Sequence, residues 1–381
     1  MAGDHFSSTH PPLPPTTEDD RFNRLRLLRS RRVGISTFNR LIAEHGSAER
    51  ALEALPDVAE AAGVSGYRIC PEGVVEAEFT AARRAGARLL VQGEAPYPVV
   101  LCDLPDAPPL LWAIGDAELL ERPRIALVGA RNASSVGTRM ARRLALGLGE
   151  AGFVVVSGLA RGVDGAAHRA AMDFGTIAVL GGGVDVCYPA ENAEIFDRIG
   201  QTGLRLSEQA MGLQPQARHF PARNRIISGL SQAVVVVEAA SRSGSLITAR
   251  TALDQGREVL AVPGSPLDGR AAGCNMLIRD GATLVRDADD IIEALSAPVP
   301  HVQHDPVPEI ADLPAPPSRS LADAASLHSQ ILDRLGPVPV TEDQLLRDLS
   351  VSANDASPVL VELELDGEIR RDPGGLLARI N

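Results

Sequence analysis

Apolar and polar positions change rhythm twice along this chain of 381 residues. Between residues 21 and 87 apolar side chains recur at spacings of three and four, as in RFNRLRLLRSRRVGISTFNRLIAEHGSAERALEALP. That period predicts short amphipathic helices, with VGIS as the turn between two of them, and so a small helical domain. From 88 to 298 the pattern becomes continuous apolar runs separated by helical stretches: RIALVGA (124–130), FVVVSGLA (153–160), TIAVLGGG (176–183), AVVVVEAA (233–240) and EVLAVPG (258–264). Runs of this kind are strands buried on both faces, and they predict a Rossmann-like, doubly wound α/β domain with a mostly parallel sheet. The stretch 299–320 is rich in proline and acid and reads as a linker. From 321 to 381 three helical segments precede a hairpin with Pro-Gly-Gly at its tip, the order of a winged helix. Residues 1–20 are polar and proline-rich and read as a disordered tail.

Composition narrows the function. Hydrophobic residues make up 45% of the chain, enough for a large core, yet no run is long enough to span a bilayer. The amino-terminal stretch lacks the pattern of a signal peptide, so a soluble, cytoplasmic protein without membrane insertion is expected. Cys70, Cys102, Cys187 and Cys274 are scattered, which argues against a disulfide framework or a zinc site. The formal net charge is −12. Taken alone this disfavours nucleic acid, because phosphate affinity rests on cations. The distribution of charge points the other way, since residues 121–250 hold 15 Arg against 10 Asp and Glu. The chain has no lysine, so every basic side chain is a guanidinium suited to bidentate phosphate contacts. The segment 321–381 is the reverse, with 11 acids and 5 Arg, including Glu362, Glu364 and Asp366 on its third helix. A protein-contact role suits it better than DNA reading.

In a parallel sheet, ligands bind beyond the carboxyl ends of the strands. The unusual residues of this chain fall in the loops expected there. GARNASS offers Gly129 for close approach, Arg131 for charge and Ser134 or Ser135 as a helix cap. Neither the dinucleotide fingerprint nor a P-loop fits, for glycines are absent where Arg131 and Ser134 stand and lysine is absent throughout. SGLARGVDGAAHRAA repeats the device with Ser157, Gly158 and Arg161, and with Asp164 as the expected cap; His168 reads as a structural histidine. SRSGS supplies Arg242, Ser243, Gly244 and Ser245 as a third amide-rich turn. The segment ARHFPARNR adds Arg218, His219, Phe220, Arg223, Asn224 and Arg225 at the start of a helix, where cations are disfavoured unless an anion arrives. Three such turns make a track for a polyanion rather than a pocket for one phosphate. Phe220 is read equally as a stacking face for a base or as a core residue. No catalytic residue, metal ligand or cofactor is expected.

The ordered set VGARNAS, SGLARGVDGAAHRAA, VLGGGVDVCYPAEN, HFPARNRIISGLSQAVVVVEAASRSGSLITAR and VPGSPLDGRAAGCNMLIRDGA resembles the DNA-processing protein A (DprA/Smf) family. The likeness spans at least residues 88–290, and the flanking SAM-like helical domain and winged helix resemble the three-part layout of some members. It implies a non-enzymatic single-stranded DNA-binding protein that dimerises and loads the RecA recombinase onto incoming strands during natural transformation. It also implies that Arg131, the Ser157–Gly158 turn, HFPARNR and SRSGS form the DNA pocket; relatives commonly have lysine among the pocket cations, and which arginine takes that place in this lysine-free chain, Arg218 or another, stays open. A rival is a phosphoribohydrolase of the same superfamily, which cleaves nucleoside monophosphates. That chemistry needs a carboxylate where SRSGSLIT has Thr248. A nucleotide-sensing regulator would need a single phosphate site.

Overall fold

The computed structural model describes residues 18–296 and, discontinuously, residues within 327–379. Residues 1–17 of the expected tail, the linker 299–320, Glu362, Asp366 and the hairpin tip 373–375 lie outside the described residues. The chain forms two compact units, Met1–Ala297 and Pro298–Asn381.

Four helices open the first unit: α1 (Glu18–Arg29), α2 (Ile35–His45), α3 (Ala48–Ala61) and α4 (Glu72–Ala85). Helix α1 begins inside the stretch read as tail, because Glu18, Asp19 and Asp20 complement the positive end of its dipole. Gly46, at φ 77°, closes α2 in the left-handed region, and Ser47 then caps α3 by accepting the Arg50 amide. Leu27, Phe38, Leu41, Ile42, Leu52 and Leu55 form the core of this subdomain.

A nine-stranded sheet follows, made of β1 (Arg88–Val91), β2 (Leu110–Gly115), β3 (Arg124–Val128), β4 (Val154–Ser157), β5 (Thr176–Val179), β6 (Leu204–Ser207), β7 (Ala233–Val236), β8 (Glu258–Ala261) and β9 (Thr283–Leu284). The order is β1-β2-β6-β5-β4-β3-β7-β8-β9, parallel from β3 to β9, with β1 and β2 antiparallel on one flank. The order reverses beside β3, the first strand of the parallel set, which lies between β4 and β7.

Connecting helices cover both faces: α5 (Val99–Cys102), α6 (Ser135–Glu150), α7 (Val163–Ala171), α8 (Ala193–Thr202), α9 (His219–Leu230), α10 (Ser245–Asp254), α11 (Ala272–Arg279) and α12 (Ala288–Ser296). Side chains alternate across the sheet. Ala126 and Val128 meet Ile226, Ile227 and Ala249 of α9 and α10. Ile125 and Leu127 meet Leu144 and Leu148 of α6 and Ala166 and Ala167 of α7. In α6, Ala141, Leu144, Ala145 and Leu148 keep the three-four spacing that turns one stripe inward.

The helical subdomain rests on β1 and β2, where Leu25, Val75 and Ala82 pack against Val91, Leu110 and Trp112. Glu78, buried there, accepts two bonds from Arg29 at 3.0 and 2.9 Å and one from the Trp112 indole at 2.7 Å. A buried carboxylate satisfied in this way escapes the cost of an unpaired charge.

In the second unit, β10 (Val340–Thr341), β11 (Ile369–Asp372) and β12 (Leu376–Arg379) form an antiparallel sheet in the order β10-β12-β11. Helix α13 (Glu342–Leu349) contributes Leu345 to a core with Ile331, Leu360, Leu363, Ile369 and Leu377. Among the described residues no helix is long and apolar enough to cross a membrane, and no His, Cys, Asp and Glu cluster is arranged to hold a metal. All four cysteines are free thiols.

Candidate nucleic-acid interface

Because β3 to β9 run parallel, the loops 129–134, 158–162, 180–192, 208–218, 237–244 and 262–271 all leave the sheet along one edge. Close backbone contacts lock them together. The Ala130 amide donates to the Glu238 carbonyl at 2.7 Å. Gly162, at φ 74°, lies so close to the first loop that a Cβ there would sit 2.3 Å from the Ala130 oxygen. The Asn192 amide side chain donates to the Leu159 and Ala160 carbonyls at 2.9 and 3.0 Å, tying the third loop to the second. The edge is therefore a rigid rim.

Four of the expected cations stand exposed on it: Arg131, Arg161, Arg218 and Arg242. Arg161 has a carboxylate of Glu191 at 3.7 Å, with both side chains more than half exposed, so that pair constrains it weakly. The Arg131 guanidinium lies over the Phe220 ring, 4.9 Å from its centroid, and the Tyr188 ring stands 5.6 Å away on a tilt of 38°. Phe220 itself is half-buried. His219 is almost buried and accepts the Gln216 amide at Nδ1, 3.2 Å away. Asn224, one turn further along α9, is half-buried.

Other expected ligands are used inside the protein. Arg223 does not await an anion: it is 5% exposed and donates to the carbonyls of Gly158 and Val179. Burial pushes its pKa down to about 10, a fall that the neighbouring Asp164 opposes and Arg131 adds to. Gly158 is the recess that admits it, since a Cβ there would meet Arg223 Nη1 at 2.2 Å. Arg225 is likewise held back, bonded to Glu208 at 2.6 Å and 3.2 Å from Asp106. Both arginines tolerate the amino end of α9 because their guanidiniums reach away to these internal acceptors.

The turns differ from expectation too. At the start of α6 the anion is already present: Glu238 accepts the Ser134 amide at 2.9 Å and the Ser134 hydroxyl, while Ser134 Oγ caps the helix by accepting from Gly137. Ser157 is fully buried and donates to the Leu127 carbonyl. Asp164 is no cap, since Gly162 holds that position; its carboxylate turns back to the amides of Gly158 and Ala160. Burial raises the Asp164 pKa, against the pull of Arg223 and those amides. In SRSGS, the Ser243 and Ser245 hydroxyls bond each other at 2.8 Å, and Ser245 is nearly buried. Gly244, the cap of α10, is exposed. The first turn is therefore filled by a protein carboxylate, and the second supports Arg223.

His168 is completely buried. Thr176 donates its hydroxyl proton to the Val155 carbonyl, so it accepts from His168 Nδ1 at 2.7 Å. Burial, with Arg223 second, pushes the imidazole down to about 3, which makes it a neutral core residue.

Two site residues escape the sequence pattern. Tyr188, 48% exposed, sits in the loop after β5, and an aromatic beside that strand end is its one available signal in a chain with 3% aromatics. Glu238 follows the strand that neighbours β3, and no local pattern announces its contact with Ser134.

Comparison with known proteins agrees with this layout. The family described as DNA recombination-mediator protein A matches residues 88–296, a DprA-like N-terminal HHH domain matches 18–81, and a DprA winged helix domain matches 315–375. The DNA processing protein DprA of Streptococcus pneumoniae is 50% identical over 198 residues, covering 51% of this chain and 70% of its own length. The X-ray structure of that organism's protein superposes with a TM-score of 0.59 at 39% identity, over 71% of this chain and 96% of the other. DNA processing protein A from Helicobacter pylori, a protein with a described single-stranded DNA binding mode, gives a TM-score of 0.51 at 31% identity, over 55% and 95%.

Proposed function

Because the chain belongs to the DNA-processing protein A (DprA/Smf) family, we propose that it binds single-stranded DNA along the rim of its central sheet, as a non-enzymatic carrier. The observation that supports this most directly is the set of exposed guanidiniums, Arg131, Arg161, Arg218 and Arg242, on loops that the parallel strands deliver to one edge. Counterion release by such cations drives phosphate binding, and several of them along one edge suit a chain of phosphates better than a single one. The Arg131–Phe220–Tyr188 cluster adds aromatic surface to the track. We assign the grip to the 88–298 domain and a protein-contact role to the acidic 321–381 domain. Family likeness extends the proposal to a cytoplasmic homodimer that protects incoming strands and hands them to the RecA recombinase during natural transformation. Hydrolysis of nucleoside monophosphates is disfavoured, since Thr248 occupies the position of the required carboxylate and is 2% exposed within α10.

The test is a titration of a labelled oligonucleotide, single-stranded and as a duplex, over a range of salt, beside an assay for base release from nucleoside monophosphates. Tighter single-strand binding that weakens steeply with salt is expected, with no base released. Equal affinity for both forms, or a flat salt response, counts against the reading. Base release would install the hydrolase in its place.

A further inference from the structure

Phe220 offers little free ring to a ligand. Arg131 covers it at 4.9 Å, and the backbone of Gly181 is so near that a Cβ there would stand 3.1 Å from Phe220 Cδ1. Its neighbour Tyr188 differs, being 48% exposed in a protein whose apolar rings are otherwise mostly spent on packing. An exposed tyrosine edge alone means little. Here, however, the ring leans on Phe220, which is itself clamped by a guanidinium, and the loop carrying it is tied down twice. The Asn192 amide donates to the Pro189 carbonyl at 3.1 Å, and the Asn192 side chain grips the Leu159 and Ala160 carbonyls. A ring fixed in this way loses little freedom when a partner stacks on it.

We propose that Tyr188 is the base-stacking residue of the rim: its open face takes the ring of an unpaired nucleobase while the Arg131 guanidinium beside it holds the adjacent phosphate. The proposal rests on the single-strand reading above and deepens it, because it names the feature that separates unpaired from paired DNA. In a duplex both faces of each base are occupied by neighbours, so a phosphate-only track binds both forms, whereas a stacking ring selects the form whose bases are free. Stacking tolerates any base, so no sequence preference follows.

Two ligands of equal length separate the contributions: oligothymidylate and a base-free oligodeoxyribose phosphate. Tyr188→Ala is expected to weaken oligothymidylate binding by roughly 5- to 150-fold and to leave the base-free strand unchanged. Tyr188→Phe keeps the ring and is expected to retain full affinity for both. Arg131→Ala weakens both ligands. Equal losses on the two strands with Tyr188→Ala, or no loss on either, overturn the stacking role while leaving the single-strand reading intact. Failure of the unaltered protein to bind either strand removes that reading, and the stacking role with it.

Discussion

The carboxylate of Glu238 sits on the amino end of α6, accepting the Ser134 amide at 2.9 Å together with the Ser134 hydroxyl. A glycine at 137 makes the approach possible, because a Cβ there would lie 2.5 Å from Glu238 Oε2. The helix end that the sequence offers to a phosphate thus carries its own counter-charge. Glu238→Ala is expected to cost about 1 kcal/mol, the net worth of hydrogen bonds to half-buried donors. The vacated helix end should then accept inorganic phosphate. Raised phosphate would lift the unfolding midpoint of the variant more than that of the parent; equal shifts would show that Glu238 is not holding an anion site.

Arg225 and Glu208 form a nearly buried pair, with side chains 11% and 14% exposed. Burial raises the Glu208 pKa while Arg225 pulls it down. Arg225→Ala strands the acid and is expected to cost about 3–5 kcal/mol in urea unfolding. Pairing Arg225→Met with Glu208→Leu should recover most of that loss, since the one charge left behind, Asp106, is half-exposed to water. A double variant as unstable as the sum of its singles would contradict this account.

For Arg131, exposed on the rim, the expectation is the opposite. Arg131→Ala should cost no more than about 0.5–1 kcal/mol of stability, the worth of its exposed contact with the Phe220 ring. It should weaken oligonucleotide binding and reduce the slope of log affinity against log salt by about 0.7. An unaltered slope would mean that Arg131 makes no phosphate contact.

His168 gives a pH signature. Its folded pKa is pushed down to about 3 from an ordinary 6.5. Between those values the unfolded chain binds the extra proton, so stability rises with pH there and is lost as pH falls from about 6.5 towards 3. Asp164, raised by burial, acts with the opposite sign and offsets part of the loss. Comparison with His168→Gln isolates the imidazole. Near pH 5 the parent should lose up to about 1.4 kcal/mol more per pH unit than the variant. Parallel stability curves would place the His168 charge elsewhere.

Removing residues 321–381 is expected to leave oligonucleotide affinity nearly intact, since the exposed rim arginines all belong to the first unit. A large loss in the same titration would assign DNA contacts to the acidic domain.

Much of this architecture is legible because buried parallel strands are written as unbroken Val, Ile and Leu. The runs starting at Arg124, Thr176, Ala233 and Glu258 mark true strand starts. Each strand ends before its run does, since the trailing small residues already belong to the loops. Strand β6, LRLS, escapes the pattern because Arg205 interrupts the apolar signal; that guanidinium is buried against the Phe196 ring at 3.8 Å. The convergence of the rim loops is legible, whereas the roles of their side chains are not. Arg131 and Arg223 look alike in sequence, yet one faces water and the other is consumed by carbonyls at Gly158 and Val179. Local pattern has no access to such distant acceptors.

The chain has a single tryptophan, and its indole N–H is bonded to Glu78, with Phe79 edge-on at 5.5 Å. Its emission should therefore act as a built-in gauge of whether the helical subdomain is seated on the sheet. Loosening that seat by Glu78→Gln or by mild denaturant would shift the spectrum towards the red.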